Sequence, residues 1–564
     1  MTDNLTDGYM KKKISPEHII QHDTRIGRTA AENDDEFLLT CFVDNKALAE
    51  ALSTNTPGMI LAGRTGSGKT AILRYIEHHH KVARIEPARM ALQYISNSDI
   101  LRFLHDIGAD LDILFQTIWK HVLCVEYIRL RYDINTEEKS KTWYQNLWGI
   151  FNNDVREKKA LEYLDEWGGR FWVTIDENVK EVISKTEARL NAEIGVDFQK
   201  FKTKAGYGKN LSNEQKSEFI ARVRKVIHAD QLSDLSKVLD LLKKEEIKNK
   251  QQQPCYLLID DLDERWIDDS LKYRMINALV ETLKSFGKIQ HLKILVALRS
   301  DVIERAMQES TSTGFQREKF SDYVIRIRWT EKELKEVVNR RIRLLYSRKY
   351  TKKDVSFEDI FPNIVKGEKP IKFLLDRTLL RPRDIIAFVN YCLEEAEDRV
   401  DVSSSQMLAA ERHYSAERLS ALCDEWRTAF PTLREILGIF SGGTSSRRFD
   451  EFLETGLLQE IGLQICGKTK TAFDPLFEPA NKLFPQSGEP SERDCANFSR
   501  SIFVTLYRVG AIGIKSSETP YEYHFRKGRL ISEKEIGSNS KFNVVKMLHR
   551  GLNINEKGRG KRFK

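Results

Sequence analysis

The sequence predicts an α/β P-loop type of core, a parallel sheet with flanking helices, to which further helical segments are attached. Short and almost entirely apolar runs at 59–62, 256–259 and 292–298 are typical of strands buried on both faces of a parallel sheet. Stretches between and after these runs show apolar residues at steps of three and four, as amphipathic helices do. With 564 residues, 41% hydrophobic and 31% charged, the chain has the length and composition of a globular protein with several domains.

A glycine-rich loop follows the first apolar run and leads into the helix predicted at 71–76. It reads GRTGSGKT and matches G-x-x-x-x-G-K-[ST] at every required position. Glycines let backbone N–H groups approach the phosphates of a nucleotide, and the helix N-terminus adds partial positive charge. We therefore predict that ATP binds with Mg²⁺, that Lys69 reaches the β- and γ-phosphates, and that the Thr70 hydroxyl ligates the metal. The residues assigned to nucleotide binding are Gly63, Arg64, Thr65, Gly66, Ser67, Gly68, Lys69, Thr70 and Ala71.

Carboxylates follow the apolar run at 256–259, at the kind of strand end where open α/β sheets bind ligands. The run leads directly into Asp260-Asp261-Leu262-Asp263. We expect Asp260 to hold Mg²⁺ and Asp261 to orient or deprotonate the attacking water. For Asp263 we favour a helix N-cap or a surface charge.

Further strands at 82–87 and 325–330 complete the predicted sheet, and arginines near strand and helix ends complete the expected site. The run at 292–298 ends in Arg299, which we expect beside the γ-phosphate as a catalytic residue. Arg381 and Arg383 flank Pro382 at a predicted helix start. They either reach back to the nucleotide or belong to an ordinary helix cap, and we favour contact with the nucleotide.

The order of these segments predicts five regions. A polar N-terminal lead-in at 1–44 is expected to be loosely ordered. The core at 45–330 is interrupted by a helical insertion at 96–253, whose tryptophans form either its own core, which we favour, or a binding surface. A helical lid follows at 331–426, and after it helical stretches lead into strands. The order helix, strand, turn, strand predicts a winged-helix-like domain at 427–550, including a strand at 521–526, before a basic tail at 551–564.

The net charge of +8 is concentrated at the C-terminal end of the chain. Residues 500–564 contain 15 Lys and Arg against 5 Glu, whereas the rest of the chain is slightly acidic. This balance predicts sequence-independent contact with DNA or RNA. Packing on protein, with a tail that only aids solubility, is an equally good alternative. The expected contacts are Arg526, Lys527, Arg529, Lys557, Arg559, Lys561, Arg562 and Lys564.

The remaining sequence features concern location. No run approaches the ~18 apolar residues of a membrane span, and the first residues contain no apolar signal core. The seven cysteines are scattered without a C-x-x-C pair, which is typical of reduced thiols. We expect a cytoplasmic protein without a membrane partner.

Five motifs together resemble a family. GRTGSGKT, IDDLD, LRSD, RWTEKEL and RPRD resemble the motifs of bacterial STAND/KAP-like, AAA+-related P-loop ATPases, many of which are encoded in phage-defence islands and mobile elements. The resemblance covers about residues 40–400. It implies that Asp260 and Asp261 are the Walker B pair, that Arg299 stands at a sensor-like strand end, and that Arg381 or Arg383 is the lid arginine. AAA+ enzymes usually have Asp-Glu where this chain has Asp-Asp, so we expect slow or partner-dependent hydrolysis.

The resemblance implies a Mg²⁺-dependent ATPase switch in antiviral defence that controls an effector protein or nucleic acid. Two alternatives stay open: a sensor or scaffold that binds nucleotide and barely turns over, and a DNA-binding loader similar to the origin-recognition ATPases. We also expect a homo-oligomer in which arginines act on a neighbour's γ-phosphate, with a solvated helix face as an equal alternative. The candidate arginines are Arg340, Arg341 and Arg343.

Overall fold

The computed structural model of the chain describes ten segments and four single helical residues, 177, 181, 217 and 221. The segments are 19–88, 111–134, 155–168, 230–243, 253–264, 269–309, 321–349, 355–468, 474–515 and 520–555. The chain divides into two compact units. We call them the sheet unit, Lys46–Ala62 with Ile72–Arg326, and the helical unit, Met1–Asn45 with Gly63–Ala71 and Ile327–Lys564.

A five-stranded sheet forms the centre of the sheet unit. Its strands are β1 (Ile60–Gly63, whose last residue begins the helical unit), β2 (Lys81–Ile85), β3 (Cys255–Ile259), β4 (Leu292–Arg299) and β5 (Val324–Arg326). The strand order is β2-β3-β4-β1-β5. The pairs of β1 with β5, β2 with β3 and β3 with β4 are parallel. All five residues of β3 are buried, as the apolar run predicts. The predicted α/β fold class is confirmed, although β5 is shorter than the strand predicted at 325–330.

The sheet unit contains seven α-helices among the described residues, and the third to the fifth of them lie within the insertion predicted at 96–253. They are α1 (Lys46–Leu52), α2 (Lys69–His79), α3 (Asp112–Arg131), α4 (Val155–Trp167), α5 (Asp230–Lys243), α6 (Asp269–Phe286) and α7 (Ser300–Glu309). The buried Trp119 on α3 donates a hydrogen bond to the carbonyl of Met275 on α6 at 2.9 Å, so this tryptophan belongs to the core, as favoured. Trp167 is partly buried against the same core. The other tryptophans of the insertion, Trp143, Trp148 and Trp172, lie outside the described residues.

The helical unit contains ten helices among the described residues and a second, antiparallel sheet. The helices are α8 (Glu331–Lys349), α9 (Phe357–Ile360), α10 (Pro370–Leu375), α11 (Pro382–Glu394), α12 (Ser404–Trp426), α13 (Leu433–Gly438), α14 (Thr455–Lys468), α15 (Phe477–Asn481), α16 (Glu492–Arg508) and α17 (His524–Lys527). The strands β6 (Ser446–Arg448), β7 (Ile512–Lys515), β8 (Glu522–Tyr523) and β9 (Lys541–Val544) lie in the order β6-β9-β7-β8. Strand β6 precedes α16, and β7 and β8 follow it, so the order of helix, strand and strand within 492–523 is the predicted one. Most of the predicted turn, 516–519, lies outside the described residues.

The strand predicted at 521–526 is wrong in part. Only Glu522 and Tyr523 pair with β7, and the chain then turns into the short helix α17. Gly528 ends that helix with a φ of +67°, the left-handed conformation that glycine adopts most readily. The alternating polar and aromatic residues therefore do not all form a strand: from His524 on they form a helical turn, which Gly528 caps.

The N-terminal lead-in is ordered where the structure describes it. Ile20, Ile26 and Phe37 are buried in the core of the helical unit. Asp34 and Arg341 of α8 form an ion pair at 2.6 Å, and both side chains are at least nine-tenths buried. This differs from the loosely ordered segment that the polar composition predicts. No helix among the described residues is long and apolar enough to cross a membrane.

Candidate nucleotide-binding site

The loop that follows β1 has a backbone that only its glycines allow. Gly66 and Gly68 have φ angles of +75° and +99°, which L side chains rarely adopt. A Cβ on Gly66 would lie 2.5 Å from the Cβ of Arg383, and one on Gly63 would lie 2.2 Å from the Oγ of Ser67. Both glycines are thus required by close approach within the helical unit, as well as by the motif.

Lys69 is the first residue of α2 and is 8% exposed. Its Nζ donates to the carbonyls of Gly63 and Arg64, both at 3.2 Å. The ammonium group therefore contacts the backbone at the start of the loop in which it is expected to bind phosphates. Thr70 follows in the first turn of α2, where backbone N–H groups lack partners within the helix.

Three consecutive carbonyls of the loop accept hydrogen bonds from the helical unit. Arg381 Nη1 donates to Thr65 O at 3.0 Å, the backbone N–H of Arg383 to Gly66 O at 3.3 Å, and Trp329 Nε1 to Ser67 O at 2.8 Å. In a trans peptide the N–H of the next residue points opposite to the carbonyl. The N–H groups of Gly66 and Gly68 therefore face away from these donors, which is the arrangement of a backbone concavity that binds anions.

Arg381 and Arg383 lie against the loop, and Arg381 is the residue that precedes the first turn of α11. Their contact with a nucleotide stays a prediction. Arg381 is buried and binds both oxygens of Asp384, at 2.8 and 2.9 Å, and Glu425 Oε2 at 2.9 Å. Burial by itself would lower the pKa of Arg381, but the two carboxylates outweigh it and raise that pKa. Arg383 donates from Nε to the carbonyl of Thr29 at 3.0 Å. The charge of Arg381 is thus already matched by protein carboxylates.

Glu425, near the end of α12, contacts the loop but belongs to no sequence motif that predicts this contact. Its Oε1 accepts Arg64 Nε at 3.1 Å and the backbone N–H of Thr65 at 3.2 Å. Its Oε2 accepts Arg64 Nη2 at 3.1 Å. Burial would raise the pKa of Glu425, but Arg64 and Arg381 outweigh it and lower the pKa to about 2. Only the tertiary fold brings this residue to the loop.

The two carboxylates after β3 have different surroundings in the sheet unit. Asp260 is 5% exposed, and its Oδ1 accepts the N–H of Asp261 at 3.0 Å. Asp261 has a left-handed backbone, with φ at +61°, and a half-exposed side chain. Its Oδ2 accepts Arg84 Nη2 of β2 at 3.4 Å. Because β2 is the edge strand on the side away from β4, the Asp261 carboxylate is directed to the edge of the sheet.

Arg299 ends β4, which lies between β3 and β1 in the sheet. It binds both oxygens of Asp301, at 2.9 and 2.8 Å, and Asp263 Oδ2 at 3.1 Å. Asp263 is therefore an ion-pair partner that connects the ends of β3 and β4, and its carboxylate is partly exposed. Residues 265–268, which would show whether it is also a helix N-cap, lie outside the described residues. Arg299 carries two carboxylate partners at the position where the sequence predicts contact with a γ-phosphate.

The two residues expected to bind Mg²⁺ carry oxygen donors of the kind that this ion prefers. No group of three or more metal-binding side chains occurs within the described segments. Mg²⁺ commonly takes only one or two protein oxygens and completes its shell with phosphates and water. The Thr70 hydroxyl and the buried Asp260 carboxylate supply oxygens of this type.

The arginines of α8 that are expected to act on a neighbouring copy differ in their exposure to solvent: Arg341 is buried, Arg340 is about two-fifths exposed and Arg343 is exposed. Arg341 is buried and donates to Asp34 and to the carbonyl of Ile26. Arg340 binds Glu336 and the carbonyl of Phe42. Arg341 is thus bound inside this chain, and the role in an oligomer stays a prediction for Arg340 and Arg343.

Comparisons with known proteins find likeness at three levels. Residues 332–423, from α8 into α12, match the family described as FunZ-associated C-terminal helical domain. The chain is 22% identical over 552 residues to a putative transposon gamma-delta 80.3 kDa protein of Escherichia coli K12, a match that covers 94% of this chain and 67% of that protein. It is also similar to a Walker-type ATPase of Pyrococcus abyssi, at 13% identity and a TM-score of 0.34, over 89% of this chain and 96% of that one. The ORC2 protein of Aeropyrum pernix, solved with ADPNP and ADP, matches at 10% identity and a TM-score of 0.31, over 95% and 96%.

Proposed function

We propose that this chain is a Mg²⁺-dependent P-loop ATPase that acts as a molecular switch. The observation that carries the proposal is the loop Gly63–Ala71 itself. Gly66 and Gly68 adopt conformations with positive φ, the carbonyls at 65–67 are turned toward side-chain and backbone donors, and a buried lysine begins the helix that follows. This combination provides a cation and aligned N–H groups for a polyphosphate.

Each residue of the proposed site has a separate task. Lys69 places positive charge in a buried environment, where it stabilises phosphate oxygens more than in water. Thr70 and Asp260 hold Mg²⁺, which neutralises charge on the β- and γ-phosphates when bound. Asp261 orients the attacking water after its carboxylate leaves Arg84. The Asp260-Asp261 pair, where AAA+ enzymes usually have Asp-Glu, supports slow turnover that a partner accelerates.

The test is Mg-ATP binding and phosphate release by the Lys69→Ala variant. We expect binding to weaken by at least ~10² or turnover to disappear, because a buried positive charge facing a tetra-anion is removed. Lys46→Ala, at the exposed first residue of α1, is the matched control and should behave as the wild type. Wild-type hydrolysis by Lys69→Ala would overturn the assignment of the site.

A sensor or scaffold with little turnover is the second candidate, favoured by the ion pair of Asp261 with Arg84. Steady-state phosphate release separates the two. A rate near zero with and without DNA, RNA or a protein partner supports the scaffold, whereas stimulation by one of them supports the switch and names its class of partner.

We propose further that the switch serves the control of mobile DNA, including phage defence, through an effector protein or nucleic acid. The support is the motif resemblance and the relative named for a transposon. Phage plating on cells that carry the wild-type gene with its neighbouring genes, compared with the Lys69→Ala variant, tests this role. Equal plating efficiency on both would count against it.

A further inference from the structure

Thr65 is held at both of its backbone polar groups by the helical unit. Its N–H donates to Glu425 Oε1 at 3.2 Å, and its carbonyl accepts Arg381 Nη1 at 3.0 Å. Glu425 joins the two contacts, because its Oε2 also accepts Arg381 Nη1 at 2.9 Å. The conformation of the loop next to Gly66 is therefore set by α12 and by the start of α11.

The Glu425 carboxylate accepts four hydrogen bonds, two from Arg64, one from Thr65 and one from Arg381. Its side chain is 3% exposed and that of Arg64 is 10% exposed. The Arg64 guanidinium also lies over the ring of Trp426, with Cζ 5.8 Å from the ring centroid. Arg64 is thus directed into the helical unit and paired there.

A carboxylate bound to the phosphate loop is unfavourable for ATP unless its charge is neutralised. At short range in a poorly solvated site, a negative charge repels a polyphosphate strongly. Arg64 and Arg381 both form ion pairs with Glu425. Arg381 is shared with Asp384, whereas the described ion pair of Arg64 is with Glu425 alone. Arg64 is therefore a counter-charge of Glu425 that no other described carboxylate shares.

We propose that Glu425 is a positioning residue of the nucleotide site, which fixes the loop through the Thr65 N–H, and that Arg64 is its counter-charge. This inference rests on the proposed nucleotide binding and adds the part played by α12. The helical unit sets the affinity of the loop for ATP, so a movement of α12 changes nucleotide affinity. Arg64 acts through Glu425 and does not contact the phosphates.

Three variants of the full-length chain separate charge from positioning. Arg64→Met leaves Glu425 under-neutralised, and we expect the Kd for Mg-ATP to rise at least ~10-fold. Adding Glu425→Gln removes the charge and keeps an oxygen for the Thr65 N–H, so Kd should return to within ~3-fold of the wild type. Adding Glu425→Ala instead removes the oxygen as well, and Kd should stay high.

The matched control is Glu411→Gln, a buried acid-to-amide change on the same helix that contacts Arg377 and Arg550 but not the loop. It should change thermal stability without changing Kd. If Arg64→Met does not fold, Arg64→Gln replaces it throughout. Wild-type affinity in the Arg64 variant, or no recovery on adding Glu425→Gln, would overturn the proposal. Failure of the wild type itself to bind Mg-ATP in a way that needs Lys69 would instead overturn the proposed function.

Discussion

At the scale of single residues, the two adjacent aspartates after β3 show how far the sequence predicts a site. The apolar run and the carboxylates that follow it correctly indicated a buried strand with Asp260 at its end. The left-handed turn at Asp261 was not predictable, because aspartate tolerates this conformation without requiring it. That turn is what directs the Asp261 side chain to Arg84.

Because Asp260 and Asp261 have different environments, we predict that substituting the first reduces ATP binding and substituting the second reduces hydrolysis. Asp260→Asn should weaken Mg²⁺-dependent ATP binding, since a buried metal ligand loses its charge. Asp261→Asn should retain binding while hydrolysis falls by ~10²-fold or more, the scale of a positioned acid–base group. Binding titrations and single-turnover hydrolysis measure the two effects, and Asp240→Asn on α5, paired with Lys243 near the surface, is the control. Full hydrolysis by Asp261→Asn with total loss in Asp260→Asn would reverse the assigned roles.

At the scale of elements, the sequence predicts the central strands well and the N-terminal segment badly. The central strands are short, almost continuous apolar runs, so the local sequence is enough to predict that they are buried. In residues 19–45 the buried apolar side chains are spaced irregularly among polar ones, and no single period marks an element. Its order comes from contacts made far along the chain, such as the ion pair of Asp34 with Arg341.

The N-terminal segment should therefore contribute to stability. Asp34→Ala leaves Arg341 buried without its carboxylate, and we expect the helical unit to lose about 3–5 kcal/mol. The control is Glu36→Ala, because Glu36 pairs with Arg348 at 3.3 Å with both side chains about half exposed or more. Its loss should stay within about 0.5–1 kcal/mol. The midpoints of urea unfolding, followed by tryptophan fluorescence, compare the two variants. Equal midpoints would support a loosely ordered lead-in that contributes little to stability.

At the scale of the whole molecule, the division into two units shows which part of the chain the phosphate-binding loop packs with, which the motif alone does not indicate. The loop Gly63–Ala71 groups with the helical unit, whereas the strand residues before it and the helix residues after it group with the sheet unit. Sequence order predicts the loop as part of the core. Its contacts with Arg381, Trp329 and Glu425 come from segments hundreds of residues away, which no local pattern could indicate.

The fold also reduces the positive charge that the basic C-terminal end presents to solvent, because some of its cations form ion pairs with carboxylates. Arg526 pairs with Glu331 at 3.2 Å, and Lys527 and Arg529 pair with Glu522 at 2.7 and 3.0 Å. Carboxylates therefore offset part of the charge that the sequence assigns to nucleic-acid contact. The other expected contacts lie in the tail at 556–564, outside the described residues.

We therefore predict that nucleic-acid binding, if measured at low salt, depends mainly on the tail. Its five cations, Lys557, Arg559, Lys561, Arg562 and Lys564, would neutralise up to five phosphates of DNA. The logarithm of the binding constant should then fall with the logarithm of salt concentration with a slope of roughly −4 to −5. Fluorescence anisotropy with unrelated duplex and single-stranded sequences should give similar affinities, because phosphate contacts carry no sequence information.

Two variants locate the contacts. A chain ending at Asn555 keeps the described fold and should lose most of the binding. The triple reversal Arg526→Glu, Lys527→Glu and Arg529→Glu should weaken binding less than the truncation does, since these side chains already have carboxylate partners. A larger loss in the triple variant would move the interface to the region of β8 and α17. No binding by the intact chain in low salt would show that its basic end packs on protein or serves solubility alone.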